Sequence, residues 1–163
     1  MIISTEKFQN AKKYWLSKFA GGLNEVQLMV DLYDKQEYKT ANYEAALEKE
    51  TVTKLLRISK NNHLSLYVLL LTALNVLLHK YTGQDDIIVT SPTYSLSDQQ
   101  YNKYVLFNTD LHFEKNFKEL LMEVNNTVVD GYKNQFYPIR RIMDDLGIED
   151  SSPLFKIILF RIH

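Results

Sequence analysis

One stretch, Leu64 to Pro92, limits what this chain can fold into more than any other. Its first part, Leu64 to Leu78, is apolar with only Ser65, Tyr67, Thr72 and Asn75 interrupting, and its leucines fit a helix buried over much of its surface. His79-Lys80-Tyr81-Thr82-Gly83-Gln84-Asp85-Asp86 follows, polar and carrying a glycine where a helix would need a left-handed residue to stop. Ile87-Ile88-Val89 is then too apolar to alternate, which predicts a strand covered on both faces, not an exposed hairpin strand, ended by Pro92. Helix, tight turn and buried strand in this order predict a layered α/β fold. The apolar helix falls short of the roughly 20 residues a membrane span requires, so it is read as core and no membrane partner is expected.

The rest of the chain is organised around that unit. Thr5 is a candidate cap for a helix with Phe8, Ala11, Trp15 and Phe19 on one face, ending at Gly21-Gly22. No period holds from Asn24 to Ala41. Tyr43, Ala45 and Leu47 alternate as a half-buried strand would, and Thr51 is a candidate cap for a short helix bearing Val52, Leu55, Leu56 and Ser59. Beyond Pro92, a polar loop leads to a second strand region, Tyr104 to Phe113. Phe117, Leu120, Leu121, Val124, Val128 and Tyr132 then mark an amphipathic helix. Pro138 sits at the first turn of a short helix through Leu146, closed by Gly147, and Leu154 to Phe160 reads as a last strand. Strands separated by helices of this length point to crossover connections.

Several function classes are excluded by composition. The 19 basic and 20 acidic residues leave a net charge of −1, with no footprint for nucleic acid. There is no cysteine, hence no thiolate metal site, disulfide framework or cysteine nucleophile. His63, His79, His112 and His163 are scattered without metal-ligand spacing, and neither a Gly-rich phosphate loop nor a nucleophile elbow is present, so no metal or directly bound cofactor is expected. Met1 to Ser4 runs straight into the charged segment Glu6 to Lys13 with no apolar signal core, so cytoplasmic residence is the default.

With these residues in view, the chain resembles the condensation domain of nonribosomal peptide synthetases. Leu77 to Val89 resembles that family's helix, turn and strand; Phe107-Asn108-Thr109 resembles the Asn-Thr core of a later motif; Asn134-Gln135 with Pro138 and Ser152-Pro153-Leu154-Phe155 resemble the next two, and Tyr14-Trp15 also matches. The resemblance implies a chloramphenicol-acetyltransferase-like layered sheet with crossover helices. Residues 1–163 would form a single partial domain: the carboxy-terminal lobe of a two-lobed whole, incomplete at its far end and without the amino-terminal lobe.

Such domains join a thioester on one carrier protein to the amine of an aminoacyl group on another, using a His-His-x-x-x-Asp-Gly signature. No adjacent His pair occurs here. Asn125-Asn126-Thr127-Val128-Val129-Asp130-Gly131 has the same spacing but no titratable base, and it lies between two carboxy-lobe motifs. The chain alone is therefore expected to be inactive, with no catalytic residue of its own. By resemblance, Asn108 and Thr109 face the substrate channel; read from the residues alone, they end a strand. Expected partners are an acyl or peptidyl carrier protein bearing phosphopantetheine, the other lobe and adjacent synthetase domains. Departures from the family pattern at Tyr104, Phe136, Ile139-Arg140 and Ser151 suit a second reading, a non-catalytic module that docks a carrier. Gln84-Asp85-Asp86 is read as turn chemistry, and Lys12-Lys13 and Arg140-Arg141 as solvated faces before carrier contacts.

Overall fold

Helix α1 (Thr5–Lys18) buries Ala11 and Trp15 on one face, and Phe19 just beyond it continues that face. Trp15 stacks on Phe19 with ring centroids 5.5 Å apart, and its indole N–H donates to the Asn134 carbonyl at 3.0 Å, a partner 119 residues away. In the computed structural model, residues 5–28, 40–93, 102–112, 115–147 and 157–160 are described. Thr5 belongs to the helix itself, not to a cap before it.

Residues 40–48 carry no strand. Tyr43 is 92% exposed and Leu47 protrudes as well, so the alternation read over Tyr43 to Leu47 is overturned. Alanine and glutamate hold a strand weakly, and among the described residues no neighbour pairs with the segment. Helix α2 (Lys49–Ile58) starts before Thr51, with Glu48 at its N-cap position and no side-chain cap. Lys60 and Asn61, both at positive φ, turn the chain into α3 (His63–Thr82), whose N-cap Asn62 accepts from the Ser65 amide at 2.9 Å.

Helix α3 starts one residue earlier than its apolar pattern and ends as expected: Gly83 at φ 71° donates its amide to the His79 carbonyl. An added side chain at that φ would be strained, which is why glycine stands there. By length and composition α3 is long and apolar enough to cross a membrane, yet Tyr67, Val68, Leu71, Thr72, Asn75 and Leu78 are buried in the protein core.

Strands β1 (Asp86–Pro92) and β2 (Tyr104–Asp110) pair antiparallel, with Ile87 opposite Thr109 and Val89 opposite Phe107. The two consecutive strands are therefore neighbours, not separated by a crossover. A crossover does occur later: Ile158 bridges Thr90 in parallel, after the chain has passed through α4 (Phe117–Lys133) and α5 (Ile139–Leu146). Thr90 holds that segment through its amide to the Ile157 carbonyl at 2.9 Å, its hydroxyl to the same oxygen at 2.8 Å, and its carbonyl from the Leu159 amide at 2.9 Å. Only residues 157–160 of the expected last strand are described, and Phe113 of the second strand region also lies outside the described residues.

Both faces of the hairpin are buried, as expected for β1. Helices α3 and α4 pack against it, and Phe107 meets the Tyr132 ring edge-on at 5.3 Å. Gly131 of α4 lies so close that an added Cβ would fall 2.7 Å from the Phe107 ring. Asn116 caps α4 reciprocally with Glu119, a capping box placed just before the apolar face.

Candidate functional site

The end of β2 carries the residues singled out from sequence. Strand alternation separates them: Thr109 shares its face with Val105 and Phe107, which lie against Gly131 of α4, whereas Asn108 shares the other with Leu106. Thr109 is fully buried, and its hydroxyl accepts from the Asn75 side-chain amide of α3 at 2.8 Å. Asn108 is half-buried, and its Oδ1, shielded from solvent, has no hydrogen-bond partner among the described residues. Asn75 read only as an interruption in an apolar helix; nothing in its spacing signalled a partner 34 residues on.

Beside this strand end the turn after α3 is tied down. The Gln84 side chain accepts from the Gln27 amide and donates to the Glu25 carbonyl at 2.8 Å, docking the segment after α1. The Gln84-Asp85-Asp86 run thus serves as a structural turn. It lines a polar cleft of about 260 Å³ with Asn24, Glu25, Gln27 and His112.

The histidines are less scattered than the sequence suggests. His112 Nδ1 lies 2.7 Å from Asp110 Oδ1, its Nε2 lies 3.7 Å from Asp85 Oδ2, and His79 Nδ1 lies 3.4 Å from Asp85 Oδ1. Asp86, Asp110 and His112 bring ligand atoms within 4.8 Å of one another, close enough to share an ion, which ligand spacing along the chain did not reveal. The Asp110 carboxylate raises the His112 pKa. Asp110 is held below its usual range, first by the His112 backbone N–H. An imidazole between carboxylates favours the protonated form, the wrong state for accepting a proton from an amine.

Further away, Lys12 pairs with Asp145 at 2.8 Å and the Arg141 guanidinium lies over the Phe8 ring at 5.8 Å, so each has an intramolecular contact. The Tyr14 hydroxyl is pushed up to about 12 by burial, with Asp130 adding to it. Asn125 and Asn126 are exposed on α4, at the rim of an apolar groove lined by Ile58, Val68, Leu69 and Met122.

The condensation domain family model matches residues 2–161. This chain belongs to the condensation domain family. Bacitracin synthase 1 of Bacillus licheniformis is 31% identical over 169 residues, covering 95% of this chain and 3% of that protein. Tyrocidine synthase 2 of Brevibacillus parabrevis is also 31% identical, covering 93% and 4%. The condensation-type chain thus spans a small fraction of the relatives' length.

Among solved structures, a four-domain nonribosomal peptide synthetase bound to AMP and glycine superposes with a TM-score of 0.78 at 15% identity, over 98% of this chain and 13% of that one. The cyclization-docking bidomain from Sorangium cellulosum gives 0.70 at 16%, over 96% and 34%. A mutant starter condensation domain of rhizomide synthetase, in complex with C8-CoA and Leu-SNAC, gives 0.66 at 14%, over 96% and 36%. The fold is thereby that of condensation domains, the chloramphenicol-acetyltransferase-like architecture expected from sequence.

Proposed function

We propose that residues 1–163 supply the carboxy-terminal-lobe portion of a condensation domain that forms amide bonds between carrier-bound substrates, with the catalytic histidine lying outside this chain. In that reaction the amine nitrogen attacks the thioester carbonyl carbon, the C–N bond forms as the C–S bond breaks, and the pantetheine thiol departs with the proton the amine gives up. The step needs a neutral amine, which a base near neutral pKa provides. The observation that carries the reading is the order of the family motifs along residues 2–161 together with the lack of any adjacent His pair among them.

Asn108 is the residue of this chain that meets the substrate. Its side chain is half-buried, and Oδ1, without a donor among the described residues, is shielded until the amide turns about its side-chain torsions toward the amide N–H groups that the pantetheine arm of a carrier protein presents. Thr109, turned into the core, anchors the strand instead of lining the channel. The relatives are synthases of bacitracin and tyrocidine by name, and we assign this chain to antibiotic peptide biosynthesis of that kind.

Amide formation between two loaded carriers tests the reading. The chain alone should give no turnover, and addition of an amino-terminal lobe bearing the His pair should restore it; robust turnover by the chain alone would sink the proposal. A docking role without catalysis is the second reading, favoured by the departures at Phe136 and Ile139. Lys7 lies 4.8 Å from the Phe136 ring centroid, and Ile139 is buried, so both positions are given over to packing. Saturable carrier binding with no turnover in the reconstituted pair would select it.

A further inference from the structure

Asn75 is costly where it stands. It lies mid-way along the apolar α3 with 0% exposure, where a leucine would bury more apolar surface and favour the helix more. Its amide NH2 donates to Thr109, but Oδ1 is buried with no partner among the described residues. Rotating the amide would only exchange which end is left over, since Thr109 offers it a single hydroxyl. A buried polar group left half-satisfied in an otherwise apolar helix breaks the local rules, and such breaks concentrate where function needs them.

What the Asn75 amide does is fix Thr109. The β-branched side chain has few rotamers, and a buried hydrogen bond selects one, holding the strand at that residue. On the other side of Thr109, Asp110 is held by His112 and by Lys115, whose ammonium donates to the Asp110 carbonyl at 3.0 Å. Leu111 donates its amide to the Asp85 carbonyl at 2.9 Å. Asn108 is thus followed by consecutive anchored residues, and alternation turns its side chain to the opposite face. We propose that Asn75 is a positioning residue for the condensation reaction: through the Thr109 hydroxyl it sets the strand that presents Asn108 to the pantetheine-linked substrate. The inference rests on the condensation reading given above.

The decisive variant is the double substitution Asn75→Leu with Thr109→Val in the full chain. Removing both polar partners for apolar groups of similar shape leaves no buried orphan, so the fold should hold and the melting temperature should stay near wild type. Reconstituted with a His-bearing lobe and loaded carriers, the double variant should lose about tenfold or more in kcat, in line with what sub-ångström to ångström misplacement costs. KM for the carriers should not change. Thr109→Ser, which keeps the hydroxyl, should retain most activity. A stable double variant with wild-type kcat overturns the inference. If the wild-type pair forms no amide, the condensation reading falls instead, and amide hydrogen exchange then decides: faster exchange at residues 108–110 in the double variant supports positioning, and unchanged exchange overturns it.

Discussion

Three asparagines show how one residue type takes roles that sequence cannot separate. Asn102, buried just before β2, donates to the carbonyls of Gln135 at 2.7 Å and Tyr137 at 2.6 Å and accepts from the Ile139 amide at 2.9 Å. It staples the strand to the turn between α4 and α5. Asn102→Ala should cost about 2–4 kcal/mol in urea unfolding, because backbone groups are left buried and unpaired; a loss under about half a kcal/mol would refute the staple. Asn75 is buried against Thr109, and Asn108 is half-buried with Oδ1 unpartnered among the described residues. Asparagine scores as a turn former wherever it occurs, so only Asn108, placed by its family motif, could be singled out in advance. The setting of His112 was only half legible, because Asp110 stands two residues before it whereas Asp85 comes from the turn ahead of β1. Its raised pKa stabilises the fold below the unfolded value near 6.5 and stops doing so as pH rises through the folded value. The lowered Asp110 contributes above about 3.9 and is lost as pH falls. The gap in melting temperature between wild type and His112→Gln should therefore be wider at pH 5 than at pH 9; a gap independent of pH would contradict the pairing.

Elements whose signals are local were legible, and pairings were not. Helix α3, its Gly83 stop and β1 follow from periodicity, a left-handed cap and an apolar run, all within a short window. The antiparallel partnership of β1 with β2 depends on residues on separate strands, and nothing in either strand states its direction. The segment 43–47 failed for the converse reason: its alternation was local, but a strand needs a neighbour. Helix α4 shows how closely the elements fit. Gly131→Ala would improve helix propensity by about 1 kcal/mol, yet its Cβ would meet Phe107 Cε1 at 2.7 Å and Val105 Cγ1 at 3.3 Å. Phe107 is fully buried and cannot swing aside. Overpacking should win, for a net loss of about 1 kcal/mol or more in denaturant unfolding; a stabilised variant would show that the ring yields.

At the scale of the molecule, the late segment covers the edge of β1 that β2 leaves open. Removing residues 157–163 would strip Thr90 of its partners and leave the β1 edge open. Such a truncation should melt at a lower temperature and sediment partly as dimers through edge pairing; an unchanged melting temperature with monomers only would show that the segment adds nothing. The contact between Trp15 and Asn134 has a different consequence, one of timing. Its partners are 119 residues apart, so at a synthesis rate of about 5–20 residues per second the first helix waits on the order of ten seconds for its receptor to emerge. During that interval Ala11, Trp15 and Phe19 are uncovered beside the ribosome. The only tryptophan in residues 1–163 therefore serves as its own clock, because its fluorescence shifts when α1 meets the turn at the end of α4.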